Sequence, residues 1–250
     1  MTTLTDRIKA HCVRLRLYQM PKVFEQHSHM ARENDLSFTE FLCNLLESEV
    51  VSRDEKDLIK RMKAANLPQR HDLDDFDFKY SSTLSESRLR ELRGLAWMEQ
   101  AFNIILMGPS GTGKTYIAAG LVHDAVRAGF RASLMTMEDL VSTLRLKDLT
   151  PTCLAAYNRI LKLHLLAIDD IMMFPMKKEE ATAFFNLINS LHEKTSIIVT
   201  TNKAPTEWAQ RLDDEVLASA ILDRLMYRCQ VIKLKGESYR MANRKTIFND

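Results

Sequence analysis

Apolar and polar positions follow two different rhythms along the chain. From Leu4 to about Leu67 the spacing is helical and no glycine occurs. Leu4, Ile8, Leu15 and Leu17 recur at near-helical intervals, Pro21 interrupts, and a second segment runs from Val23 to Arg32 until Asn34 and Asp35 break it. Ser37 followed by Glu40 reads as a capping box opening a helix with Phe38, Phe41, Leu42, Leu45 and Leu46 on its face. A further helix is predicted from Arg53 to Ala65. Residues 1–67 thus form a small all-α domain. From Pro68 to Ser87 the composition shifts to Asp, Ser and scattered aromatics, and residues 68–95 are assigned as a partly packed linker.

Residues 96–250 show the second rhythm, in which short apolar runs alternate with amphipathic stretches. The runs are Phe102–Met107, Ala132–Thr136, Leu165–Ile168, Ser196–Thr200 and Gln230–Leu234. Between them lie predicted helices at Lys114–Ala128, Glu138–Leu163 (broken near Thr150 and Pro151), Lys178–Lys194 and Val216–Met226. Such alternation is the signature of an α/β domain, a parallel sheet flanked by helices.

Composition narrows the class. A chain 46% apolar and 27% charged is neither disordered nor fibrous and can bury a core without disulfides. Cys12, Cys43, Cys153 and Cys229 are far apart, so reduced, mostly buried thiols and a cytoplasmic location are expected, with no structural zinc. Met1–Ala10 lacks the apolar run of a signal peptide, and no stretch approaches the ~18 apolar residues of a membrane span. The net charge of +2 requires any nucleic-acid contact to come from local basic patches.

Glycine is scarce, yet three of the seven fall in Gly108-Pro109-Ser110-Gly111-Thr112-Gly113-Lys114-Thr115. This run fits G-x-x-x-x-G-K-[ST] between a predicted strand and a predicted helix, the context of a phosphate-binding loop. Its glycines let backbone N–H groups approach phosphate oxygens, and the helix N-terminus adds positive potential. Lys114 would reach the outer phosphates of ATP, and the Thr115 hydroxyl would ligate magnesium. Tyr116, the next residue, is included among the nucleotide contacts.

Leu165–Ile168 ends in Asp169-Asp170. In a parallel sheet, ligands sit beyond the carboxyl ends of the strands, where this pair and the glycine loop would meet. Asp169 is assigned to magnesium, and Asp170 to orienting or deprotonating the attacking water. Asp170 is one methylene shorter than the glutamate usual there, which points to slow hydrolysis dependent on assembly. Asn202, at the exit of Ser196–Thr201, is the candidate to face the γ-phosphate, with Thr201 second and a simple strand-to-turn exit as the alternative.

These three elements, in this order, resemble the AAA+ ATPases. Ala220-Ile221-Leu222-Asp223-Arg224-Leu225 and Ile232-Lys233-Leu234-Lys235-Gly236-Glu237-Ser238-Tyr239-Arg240 narrow the match. They look like the IstB-type transposition helpers of insertion sequences and are similar to the DnaC helicase loaders. The resemblance implies a five-stranded parallel sheet, a helical N-terminal module used in self-association, and ATP-dependent assembly on DNA. It also implies that Arg224 is an arginine finger reaching a neighbouring subunit's ATP, with a local Asp223–Arg224 ion pair as the alternative. Arg240 matches the position of a second sensor arginine acting in cis, although only about ten residues follow it, too few for a full helical lid.

In the initiator and loader branch of that family the inserted helices of Glu138–Leu163 face the central axis, so Arg145, Lys147, Arg159 and Lys162 are candidate DNA contacts, Arg145 and Lys147 foremost. A solvated helix face is the alternative. No aromatic platform interleaves them, which favours duplex backbone contact without base reading. A second basic cluster, Arg53, Lys56, Lys60, Arg61 and Lys63, either touches DNA or pairs with Asp54, Glu55 and Asp57. Met172, Met173 and Met176 are read as packing, and His123, His164 and His192 as structural or exposed. The expected whole is a bacterial, DNA-associated homo-oligomer, a ring or spiral, that delivers duplex DNA to its element's transposase. A helicase loader acting on single strands, a small-molecule kinase and a barely hydrolysing nucleotide-gated scaffold are the rivals.

Overall fold

The computed structural model describes residues 3–80, 83–171, 176–204, 207, 208, 212 and 214–244. The chain divides into two compact units, Met1–Lys60 and Arg61–Asp250.

In the first unit, α1 (Leu4–Arg14) opens with a Thr3–Asp6 capping box. α2 (Met20–Glu33) carries Pro21 in its first turn, where a missing N–H costs nothing, so the proline starts this helix. The two helices expected over residues 38–65 are one, α3 (Phe38–Ala64), opened by the anticipated Ser37–Glu40 reciprocal bonds. What looks like a polar break is Glu49, which is 4% exposed. Its carboxylate accepts from the backbone N–H of Tyr18, Gln19 and Met20 at 3.1, 2.6 and 3.1 Å, and from Arg53 Nε at 3.1 Å. It therefore satisfies orphan donors at the start of α2. Phe38, Leu42, Leu46 and Val50 of α3, at intervals of four, are all exposed. Lys60 pairs with Asp57, one of the expected partners, whereas Arg53 pairs with Glu49, which was not among them. Only Cys12 of the four thiols is fully buried, and Cys43 is exposed.

The second unit is built on five strands, β1 (Asn103–Met107), β2 (Ala132–Thr136), β3 (Leu165–Asp169), β4 (Ser196–Thr201) and β5 (Cys229–Lys233). They are parallel, in the order β2-β3-β4-β1-β5. Every residue of β3 and β4 is buried, as expected of strands covered on both faces. Alternate residues divide the core. Ile105, Leu166, Ile168, Ile197 and Val199 pack with Leu140 of α6 (Met137–Leu146), Ile160 of α7 (Pro151–Ile160), Phe184 and Ile188 of α8 (Lys178–Leu191), and Ile221 of α9 (Glu215–Met226). On the opposite face α5 (Lys114–Arg127) lies along the strands and buries Ile117, Leu121 and Val122. Asn103 fastens the lower end: its Nδ2 donates to Leu225 O at 3.0 Å and its Oδ1 accepts from Ile197 N at 2.9 Å. Met176 is buried in this core, while Met172 and Met173 lie outside the described residues.

Residues 68–95, expected to be largely linker, carry two short 3-10 turns (Leu73–Asp75 and Phe78–Tyr80) and α4 (Glu86–Arg93). Leu73, Leu84, Leu89 and Leu92 are buried. Arg93 joins Asp124 of α5 at 2.8 Å and Asp74 at 2.5 Å, so the stretch is fastened to the helix that follows the glycine loop. A short α10 (Tyr239–Ala242) follows β5.

Candidate active site

β4 lies between β1 and β3, so the loop leaving β1, the carboxylates leaving β3 and the polar exit of β4 converge at the carboxyl edge of the sheet. Residues Gly108–Gly113 link β1 to α5, with Gly113 as the N-cap in a left-handed conformation. Pro109 and Ser110 are exposed, and Thr112 is buried with its hydroxyl donated to Pro109 O at 2.9 Å. Two glycines do more than admit phosphate. Gly111, at φ +82°, faces Ser238, whose Oγ would lie 2.1 Å from an added Cβ. Gly113, at φ +89°, faces the Phe76 ring at 2.9 Å.

Lys114 is 7% exposed and donates to Gly108 O and Pro109 O, both at 2.8 Å. Burial lowers the basicity of its ammonium, against the raising influence of Asp170 and Asp169, while nearby Arg240 lowers it further. Thr115 Oγ1 lies 2.8 and 3.0 Å from the two Asp169 carboxylate oxygens, so the two assigned magnesium ligands already adjoin. These are hard oxygen donors, the set that suits magnesium, next to a loop built for phosphate. Among the described residues no cluster of three or more His, Cys, Asp and Glu fits a metal. Magnesium is commonly held by one or two carboxylates together with the substrate's phosphates.

Asp170 follows at φ +55° and is exposed as a residue. Partial loss of hydration, then the charge of Asp169, pushes its carboxyl up, against the pull of Lys114 and Arg240. Thr201 is buried and spent on its own turn, accepting from Lys203 N at 3.0 Å. Asn202 is exposed just beyond it, with no side-chain hydrogen bond among the described residues. Sequence reasoning passed over Thr200, whose Oγ1 donates to Asp169 Oδ1 at 2.5 Å. A threonine inside an apolar strand gives no signal of this.

Tyr116 is turned toward the 72–76 segment: its hydroxyl donates to Asp72 O and its ring centroid lies 6.0 Å from that of Phe76. Only its ring remains for a nucleotide. Arg240 belongs to the stub that docks on the loop, where Tyr239 N donates to Gly111 O at 3.0 Å and the Tyr239 and Tyr80 ring centroids are 5.1 Å apart. Arg224 is elsewhere. On α9, its Nε donates to Asn189 Oδ1 at 2.9 Å, its Nη1 to Ala220 O at 2.9 Å, and its guanidinium lies 4.7 Å from the Phe185 centroid. Among the described residues Asp223 forms no ion pair with Arg224.

Of the candidate DNA contacts, the two placed foremost are partly engaged. Arg145 lies 3.9 Å from Glu180, and Lys147 sits 4.4 Å over the Tyr157 ring. Arg159 and Lys162 are exposed and free of ion pairs among the described residues. The His123 ring lies 4.8 Å from that of His71, tilted at 56°, His164 accepts from Arg131 N at 3.2 Å, and His192 adjoins Tyr227 at 5.7 Å, all structural contacts.

The fold has solved counterparts. DnaI superposes with a TM-score of 0.57 at 18% identity, over 68% of this chain and 95% of that one. The DnaC helicase loader gives 0.55 at 17% identity, over 67% and 98%, and AMPPCP-bound DnaA from Aquifex aeolicus gives 0.55 at 20%, over 68% and 51%. At such identities the likeness establishes an AAA+ fold alone. Sequence goes further. An insertion sequence IS21-like ATP-binding protein of Bacteroides fragilis is 50% identical over 89% of this chain and 84% of its own length. The IS21 ATP-binding protein of Pseudomonas aeruginosa is 37% identical over 93% and 88%. The family described as IstB-like ATP binding protein matches residues 10–247. By sequence, fold and phosphate loop together, the chain belongs to the IstB-like ATP-binding proteins of IS21-type insertion sequences.

Proposed function

We propose that this protein is a magnesium-dependent ATPase that assembles on duplex DNA, remodels it and delivers it to the transposase of its element, with hydrolysis releasing the assembly. The observation that carries the reading is the convergence of Lys114, Thr115 and Asp169 at one edge of the sheet while Arg224 is held apart on α9. Backbone N–H groups of residues 108–113 and the ammonium of Lys114 bind the phosphates, for which Lys114 exchanges the carbonyls of Gly108 and Pro109. Thr115 and Asp169 hold magnesium, which supplies charge that neutralises phosphate oxygens. Asp170, with its proton affinity raised, accepts a proton from the attacking water, and Asn202 orients that water. Arg240 lies in the field of Lys114 and Asp170 and serves the same site in cis.

Arg224 completes the site of a neighbour. A guanidinium given in trans couples phosphoryl transfer to assembly, because charge develops where only an adjacent subunit can answer it. The exposed Phe38, Leu42, Leu46 and Val50 stripe supports a role for residues 1–67 in self-association. Exposed Arg159 and Lys162, with Arg145 and Lys147 beside them, support contact with a phosphate backbone. A DNA-associated role goes with the bacterial cytoplasm; the described residues contain no helix long and apolar enough to cross a membrane.

Mixing two inactive variants tests the reading. R224A keeps a complete loop and D169N keeps a complete arginine, so each alone should be inactive with ATP, magnesium and duplex DNA, and the mixture should regain turnover. Full activity of R224A alone, or no recovery in the mixture, refutes the arginine in trans. A preference for single-stranded over matched duplex DNA would replace transposition with helicase loading.

A further inference from the structure

Thr200, the penultimate residue of β4, is wholly buried. Its Oγ1 donates to Asp169 Oδ1 at 2.5 Å and accepts from the backbone N–H of Asp170 at 2.9 Å. A hydroxyl has one proton and two lone pairs, so both bonds hold together only when the proton points at the carboxylate. The main chain of the same residue contributes as well, Thr200 O accepting from Ile171 N at 3.0 Å. One residue thus fixes the Asp169 side chain and the next two amides, where the chain leaves β3 through the left-handed step at Asp170. That step is unfavourable for any residue with a Cβ and persists only when its surroundings hold it. Two hydroxyls flank Asp169, and they are not equivalent. Thr115 is itself a magnesium ligand in the reading above, whereas Thr200 is sealed in the sheet and gives its proton to Asp169.

We infer that Thr200 is a positioning residue for ATP hydrolysis: it sets the Asp169 carboxylate for magnesium and holds the backbone turn that presents Asp170 to the water. The inference rests on the ATPase reading of the site. Valine has the same branching and volume and suits the strand, so Thr200→Val removes the hydroxyl while leaving the apolar packing. Partners that orient a metal's ligands are worth about 10- to 100-fold in metal affinity or activity. Two quantities are to be measured on the full chain: the affinity of a fluorescent ATP analogue with magnesium and with EDTA, and steady-state turnover with duplex DNA. T200V should lose about 10- to 100-fold in turnover and in the magnesium-dependent gain in affinity, with the EDTA affinity unchanged. T200S should restore both to within about threefold of the parent, since it keeps the same hydroxyl. If T200V fails to fold, T200S against T200A is the same comparison, the two differing by the hydroxyl alone. D169N separates the possible failures. Loss of magnesium dependence in D169N with parental behaviour in T200V overturns the role of Thr200, and unchanged magnesium dependence in D169N overturns the reading of the site and this inference with it.

Discussion

Alanine at Gly111 should unfasten the C-terminal stub from the phosphate loop even with no nucleotide present. An added Cβ would lie 2.1 Å from Ser238 Oγ, 2.8 Å from Ser238 Cβ and 3.1 Å from Ser238 Cα. A side-chain rotation relieves the first contact but not the other two, so the 238–239 backbone must move. Two costs are then incurred. A φ of +82° penalises an L-residue by about 1–2 kcal/mol. Loss of the Tyr239 N–H bond to Gly111 O, 3.0 Å in the parent, adds about 1 kcal/mol. The first burdens the loop whether or not the stub is docked, so the second alone shifts the opening equilibrium of residues 238–243, by about fivefold. Amide hydrogen exchange on the full chain reads this directly, with Tyr239 as the reporter and Ile105 of β1 as the internal reference. Tyr239 protection should fall by that factor while Ile105 stays within about twofold. Adding Ser238→Gly should recover part of the loss, because it removes the Oγ and Cβ contacts and leaves the 3.1 Å approach to the Cα. Unchanged Tyr239 protection in G111A would show that the stub is not held by the loop.

Other substitutions test separate parts of the structure. Burial opposes ionisation of Glu49, but three backbone amides and Arg53 outweigh it and hold its carboxyl below the usual value; the stability it gives is therefore complete above about pH 4.5 and lost as pH falls below that. Urea midpoints of the parent should drop with acid more steeply than those of E49Q, and parallel curves would refute the assignment. Asp170→Glu restores the missing methylene and should raise DNA-stimulated turnover by about tenfold or more, since displacements of about 1 Å at a reacting group carry up to 100-fold; lower turnover would show that the aspartate is the better fit. R159A and K162A should each flatten the salt dependence of duplex binding by about 0.9 in the log–log slope, more than R145A or K147A, whose cations are already engaged. Equal slopes in all four would remove the inserted helices from the DNA contact.

What could be read in advance and what could not divide along physical lines. β1, β3 and β4 were legible because each carries a continuous apolar run, the pattern of a strand buried on both faces, and the glycine loop because its backbone chemistry forces a fixed spacing; the edge strand β5, with Gln230 and Lys233 exposed, gave a weaker signal. The continuity of α3 was hidden because Glu49 looks like a surface residue until the start of α2 is folded against it. The stretch 68–95 resembled a linker because Leu73 and Leu84 stand alone and the helical spacing of Leu89 and Leu92 covers only the two turns of α4, a signal too short to stand out before tertiary contacts such as Arg93 with Asp124 fasten it. Ser238 meets Gly111 and Thr200 meets Asp169 across long separations in sequence, and a serine in a loop or a threonine in a strand carries no mark of its partner. Asn202 and Asp170 could be ranked as candidates, but the left-handed turn at Asp170 and the exposure of Asn202 are properties of the folded edge.

If Arg224 acts in trans as proposed above, its separation from Lys114 within one sheet domain gives the molecule a plug and a socket at different places. An interface that joins them is heterologous, so it cannot close a two-fold dimer on itself; it propagates head to tail until a ring closes or an end is left open. An open spiral then has one fewer competent site than subunits, with an idle arginine at one terminus and an idle nucleotide at the other. Such an assembly has direction, and turnover per subunit climbs toward a plateau as it lengthens, so its two ends offer a client protein two chemically different faces.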